Sequence, residues 1–175
     1  QDLILTKPLG VGVITTAIKA GTVDDASLEA AIESMEQLND EASRVAVSAG
    51  ATGATDVTGF GLLGHLGKMT KASGVDAVLY VNQIPFLPAA RRYVEDGIVP
   101  GGTRRNLAWI ADQVDAGSFS EVDLLLLADA QTSGGLVFGV DKDKSSDVCA
   151  ELEALGVVAA LIGETVAGEG KISLR

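Results

Sequence analysis

Ala54-Thr55-Asp56-Val57-Thr58-Gly59-Phe60-Gly61-Leu62-Leu63-Gly64-His65 sets one carboxylate between two threonines, just ahead of two glycines and a pair of leucines. Downstream, Leu62, Leu63, Leu66 and Met69 recur at helical spacing, and Gly74 supplies the residue that ends a helix in left-handed geometry. The stretch therefore reads as a turn feeding a helix that runs to Ser73. Asp56 has two readings there. It can accept backbone N–H bonds as a helix cap or turn residue. Alternatively, glycines ahead of a helix let a phosphate approach the backbone, and an adjacent carboxylate suits magnesium, which phosphoryl-transfer sites hold with one or two carboxylates plus substrate phosphates. On spacing alone, capping or turn formation comes first.

Reading outward, Leu3, Ile4 and Leu5 predict a buried strand over residues 3–6, followed by a helix over 11–20 that stops at Gly21. Leu28, Ile32, Met35, Leu38, Ala42, Val45 and Ala49 recur at steps of three and four and predict one continuous helix with a single apolar stripe. Asp24, Asp25, Glu29 and Glu33 lie near its start, where the helix dipole favours carboxylates, and read as a solvated face. Strands are predicted over 77–81, 136–140, 157–162 and 171–174. Helices are predicted over 89–95, 107–114 and 147–155, with a loop over 98–106. Helices and strands interleave without a repeat or a low-complexity linker. The expectation is one α/β domain over residues 1–175, with helices layered on a mixed β-sheet.

Composition narrows the function. Of the 175 residues 47% are hydrophobic and 21% charged, which suits a folded domain. The formal net charge of −11 opposes binding to nucleic acid, whose phosphates are met by Lys and Arg, and opposes an anionic membrane surface as well. Apolar runs such as Leu124-Leu125-Leu126-Leu127 are far shorter than the roughly 20 residues of a membrane helix. A single cysteine, Cys149, permits no disulfide within the chain, and a cytoplasmic location is expected. The chain opens QDLILT with strand residues already under way, and reads as a piece of a longer protein.

Other stretches carry weaker signals. Pro100-Gly101-Gly102-Thr103-Arg104-Arg105-Asn106 offers glycines, a hydroxyl and two guanidiniums, the makings of an anion-binding concavity. Taken as residues, it reads first as a surface turn whose arginines meet the acidic excess. Asp129-Ala130-Gln131-Thr132-Ser133-Gly134-Gly135 permits close backbone approach, or simply shapes a corner. His65 is the only histidine, so no metal cluster with several histidines can be built inside this chain, and it is expected to donate one bond at a helix edge. Cys149, flanked by Asp147 and Glu151, reads as a small hydrophobe and not as a nucleophile.

In series, LTKPLGVGVITTAIKAG, ATDVTGFGLLGHLGKM, IVPGGTRRNLAW and LLLLADAQTSGGLVFGV are far more specific than any one of them. From Leu5 to the last strand the chain resembles the carboxy-terminal domain of the selenophosphate synthetase (selenide, water dikinase) family. That resemblance implies an aminoimidazole-ribonucleotide-synthetase-like fold, and a parent enzyme that turns ATP, selenide and water into selenophosphate, AMP and phosphate with Mg2+. It implies that Asp56 is the magnesium ligand of this half, with Thr58, Gly59, Gly61, Thr103 and Arg104 near the phosphates. The family's Cys or selenocysteine nucleophile, its lysine and its other aspartates belong to an amino-terminal ATP-binding half outside this chain. No catalytic residue is expected here, and the isolated piece is expected to be inactive. The implied partners are ATP, selenide and the amino-terminal domain, in a homodimer of the full protein. Ala130 stands where many relatives carry Pro, and Ala54 where many carry Cys. Aminoimidazole ribonucleotide synthetase, thiamine-monophosphate kinase and the hydrogenase maturation dehydratase share the fold and ATP use with other acceptors, while PGGTRRN and DAQTSGG favour the selenophosphate branch. A catalytically silent interaction module is the alternative from a different class.

Overall fold

Leu3, Ile4 and Leu5 form an apolar triplet without polar alternation, as a strand covered on both faces requires. The computed structural model describes residues 1–175 and bears this out. Seven strands, β1 (Asp2–Leu5), β2 (Ala54–Asp56), β3 (Val75–Leu79), β4 (Val114–Asp115), β5 (Leu136–Val140), β6 (Ala160–Ala167) and β7 (Ile172–Leu174), make one mixed sheet. Their order is β2-β5-β1-β6-β3-β7-β4, antiparallel except where β7 pairs with β3 and β4.

Eight helices cover it: α1 (Val11–Ala20), α2 (Asp25–Glu36), α3 (Asp40–Ser48), α4 (Gly61–Ser73), α5 (Ala90–Glu95), α6 (Gly101–Ile110), α7 (Glu121–Leu127) and α8 (Ser145–Ala154). Alternate residues of a strand face opposite sides. Accordingly Leu3 and Leu5 enter the core beneath α4, with Leu62, Leu63, Leu66 and Val137. Ile4 enters the core beneath α3 and α8, with Val45, Phe138 and Leu152, and Cys149 packs against its rim. A third cluster joins α1, α2, α5 and α7 through Ile14, Ala17, Ala31, Tyr93 and Leu126. No helix is long and apolar enough to cross a membrane.

The α/β class and the mixed sheet agree with the sequence, but five boundaries differ. The single helix expected along Leu28, Ile32, Leu38, Ala42 and Val45 is two helices, because Gln37 turns extended (φ −61°, ψ 125°). The inward face of α2 is Ser27, Ala31 and Ser34, while Ile32 is 42% and Leu38 73% exposed. The loop expected over 98–106 is mostly α6, whose buried positions Thr103 and Asn106 are polar and so hide its periodicity. The helix expected over 107–114 is the end of α6 followed by a 3-10 turn and β4. Strand β6 starts later and runs further than expected, and β3 ends before Val81.

Asp76 closes the turn between β6 and β7. Its Oδ1 accepts three successive backbone N–H bonds, from Glu169 (2.8 Å), Gly170 (2.9 Å) and Lys171 (2.7 Å), which hold its carboxyl below the usual range. A carboxylate with a depressed folded pKa stabilises the fold above its unfolded pKa, and that contribution is lost as the pH falls through the folded value. Asp76→Ala is therefore expected to lower the thermal midpoint at pH 7, with the deficit shrinking below about pH 4. Thermal unfolding of both proteins across that range checks it.

Candidate functional site

The site is built where β2 meets α4. Strand β2 lies at the edge of the sheet and pairs only with β5, in the register Ala54↔Phe138, Thr55↔Val137 and Asp56↔Leu136. Asp56 is the last residue of β2 and is exposed. Helix α4 begins at Gly61 behind Phe60, with no side-chain cap, so Asp56 caps nothing. Its carboxylate takes part in none of the chain's ion pairs or side-chain hydrogen bonds. Beside it an open groove of about 460 Å3, lined by Ala46, Val47, Ala51 and Leu136, runs between α3 and β2.

The backbone after Asp56 is clamped from below by residues 129–135. Val57 is fully buried, and its N–H donates to the Gly135 carbonyl (2.8 Å). The Thr58 carbonyl accepts from the N–H of Gln131 (3.0 Å) and of Gly61 (2.9 Å). Asn106 Nδ2 donates to the Gly59 carbonyl (2.8 Å) and to that of Ala128 (3.2 Å). Gly134 is required by this contact, since a Cβ there would stand 2.0 Å from the Val57 oxygen.

Above the loop, His65 from α4 sets Nε2 3.0 Å from Thr58 Oγ1 and Nδ1 3.5 Å from Thr55 Oγ1. Phe60 meets the imidazole edge-on at 5.8 Å. Burial pushes the imidazole below its ordinary pKa, against the pull of Asp56, so the ring is neutral at pH 7. The expectation of one bond at a helix edge falls short: the imidazole faces two hydroxyls.

The other sequence candidates divide between this loop and the far side of the 129–135 segment. Thr58, Gly59 and Gly61 share the Asp56 loop, whereas Thr103 is fully buried and its hydroxyl donates to Asp129 Oδ1 (2.9 Å). Contrary to the expectation of phosphate contact, that hydroxyl is committed to the interior. Arg104 is exposed and pairs with Glu121 at 3.3 Å, so it meets the acidic excess as the residue reading supposed.

Residues 129–135 do more than shape a corner. Helix α1 has no side-chain cap from Gly10; instead Gln131 Oε1 accepts from the N–H groups of Gly10 and Val11 (3.2 Å each), and Asp129 Oδ2 from Val13 N–H (3.1 Å). Burial pushes the Asp129 carboxyl up to about 6, only partly offset by the bonds it accepts from Thr103, the Val13 N–H and the Gln131 amide. With the folded pKa raised, the contribution is full below about pH 4 and lost as the pH rises through about 6. Wild-type stability to denaturant is expected to fall across that window by on the order of 2 kcal/mol more than that of Asp129→Asn, which cannot titrate there.

Lys7 anchors the same segment. It is buried, and its Nζ donates to the carbonyls of Ser34 (3.0 Å), Gln37 (2.6 Å) and Ser133 (2.7 Å). Burial lowers its pKa. These bonds satisfy carbonyls left open at the end of α2, where the chain turns before α3. Neither Lys7 nor Gln131 was singled out by sequence pattern; the nearest signal was the double glycine that packs against them.

Over residues 1–174 the chain matches the family described as AIR synthase related protein, C-terminal domain. The chain belongs to this family. Among curated relatives, this AIR synthase C-terminal domain is 43% identical over 176 residues to selenide, water dikinase of Carboxydothermus hydrogenoformans, covering 100% of the chain and 51% of the relative. It is 42% identical over 172 residues to that of Yersinia pseudotuberculosis, covering 98% and 49%. The chain thus spans about half the length of the curated relatives it matches. Among solved structures, thiamine-monophosphate kinase from Stenotrophomonas maltophilia superposes with a TM-score of 0.67 at 17% identity, over 99% of this chain and 49% of that one. Hydrogenase maturation protein HypE superposes with a TM-score of 0.64 at 14% identity, over 99% and 48%. These two likenesses establish the shared α/β fold.

Proposed function

We propose that this chain is the carboxy-terminal half of a selenophosphate synthetase, and that Asp56 is the magnesium ligand it contributes. The observation that carries the site is a carboxylate with no partner inside the chain, presented at a strand end by a loop that the interior holds from below. Its chemistry fits the group, since magnesium takes hard anionic oxygens and keeps the remainder of its shell for phosphates and other ligands. No group of three or more His, Cys, Asp or Glu side chains that could hold a metal ion stands in the chain, so in this reading the rest of the shell comes from the phosphates and the other half. Identity of 42–43% to selenide, water dikinases supports the selenium branch over the other members of the fold.

In this reading the parent converts ATP, selenide and water into selenophosphate, AMP and phosphate. Magnesium, when bound, would neutralise phosphate charge. The chain's own part is to hold Asp56 in place, with Thr58, Gly59 and Gly61 beside the phosphates, and to offer a face for the amino-terminal half. Val47, 78% exposed beside Asp56, and Phe60 supply apolar surface for that partner. The nucleophile comes from the other half, so the chain alone is inactive and binds magnesium–ATP negligibly. The parent is read as a cytoplasmic homodimer.

Phosphorus NMR of the full-length protein with ATP, magnesium and selenide tests the assignment. Selenophosphate, AMP and phosphate in equal amounts are expected. ADP as the sole nucleotide product, or turnover that needs a different acceptor, overturns the selenium assignment.

A further inference from the structure

We propose that His65 is a positioning residue for Asp56: its imidazole bridges the two threonines that bracket the carboxylate and fixes the loop that presents it. The inference rests on reading Asp56 as a metal ligand.

Strand β2 has three residues, one neighbouring strand and an open outer edge, so its end has little to hold it from the sheet alone. The clamp from residues 129–135 reaches the backbone of Val57 and Thr58 from below. From above, only His65 brings side-chain bonds to both flanks of Asp56. The bonds around the ring suit one tautomer. With Thr55 Oγ1 donating to the Asp56 carbonyl (3.1 Å), that oxygen is placed to accept from the imidazole. In that tautomer the proton sits on Nδ1, and Nε2 accepts from the Thr58 hydroxyl at 3.0 Å. The Thr58 bond is the stronger of the two, the Thr55 contact of 3.5 Å being at the limit of a hydrogen bond.

The ring is itself steadied. Phe60 packs edge-on against it, the Lys68 ammonium lies 3.8 Å from the centroid of Phe60, and Gly64 leaves Phe60 room that a Cβ, at 2.7 Å, would take. A helix side chain with one donor and one acceptor at fixed spacing thus ties residue 55 to residue 58 across the carboxylate. Partners that orient a metal ligand in this way are worth 10–100-fold in metal affinity.

The test uses the full-length protein and Mn2+ as probe, with free Mn2+ followed by electron paramagnetic resonance. His65→Phe keeps the ring packing and loses both bonds; His65→Gln keeps an amide near the position of Nε2. The Phe variant is expected to weaken Mn2+ binding by about 10–100-fold and the Gln variant by less, with thermal midpoints within a few degrees of wild type. Unchanged Mn2+ affinity in the Phe variant overturns the proposal, as does weakening that comes with collapse of the midpoint. Amide hydrogen exchange distinguishes the brace from the metal reading. The amides of Val57 and Gly61 are expected to exchange on the order of tenfold faster in His65→Phe without metal, and unchanged exchange overturns the brace. Unchanged Mn2+ affinity in Asp56→Asn instead overturns Asp56 as a ligand and, with it, this proposal.

Discussion

Asp56→Asn in the full-length protein is expected, under the proposed function, to reduce magnesium-dependent ATP turnover by on the order of 10²–10³-fold, with the melting midpoint unchanged. The asparagine keeps the size of the side chain and one oxygen but loses the charge. A metal that stabilises developing phosphate charge contributes several kcal/mol, and each ~1.4 kcal/mol is a factor of ten in rate. Stability should not follow, because Asp56 is exposed and makes no side-chain bond within the chain. Steady-state turnover against magnesium concentration, beside a thermal scan, reads both quantities. A fall of less than tenfold would remove Asp56 from the metal.

Lys7→Met is expected to show the largest loss of stability, on the order of 3–4 kcal/mol by chemical denaturation. Methionine keeps the length of the side chain but donates nothing to the carbonyls of Ser34, Gln37 and Ser133. Water cannot readily replace the ammonium, since Lys7 is 1% exposed and a Cβ at Gly135 would lie 2.9 Å from the lysine stem. Buried acceptors left without donors cost about 1–3 kcal/mol each, and the loss is large against the 5–15 kcal/mol that holds a domain together. The effect should reach the site as well. Lys7 pins Ser133, Gly135 binds Val57, and Val57 follows Asp56, so under the proposed function the surviving folded protein should also turn over more slowly. A destabilisation below 1 kcal/mol would show that the three bonds are dispensable.

Asp56 shows how far sequence carried the site. Its motif, in series with three others, pointed to metal-bound phosphate chemistry, while its spacing pointed first to a cap or turn. The structure removes the cap by starting α4 five residues later. Lys7, Asp129, Gln131 and Asn106 were not legible as supports, because each acts on backbone distant in sequence. Gln131 caps a helix 120 residues away, and no local pattern encodes that.

By itself, the sequence determined what depends on neighbouring residues. Leu3-Ile4-Leu5 is a central strand because an unbroken apolar run tolerates water on neither face. Helices α1 and α4 stop at Gly21 and Gly74 because glycine adopts left-handed geometry freely, and both do so, at φ 70° and 64°. Tertiary structure alone decided what depends on a partner far along the chain. It set the end of α2 at Gln37, where Lys7 supplies donors to the open carbonyls of Ser34 and Gln37. It made α6 from a glycine-rich segment by burying Thr103 against Asp129. It also left Asp56 unpaired at a sheet edge. The first two are hydrogen-bond requirements met across the fold, and only the folded chain brings those partners within reach; the third is a side chain to which the fold brings none.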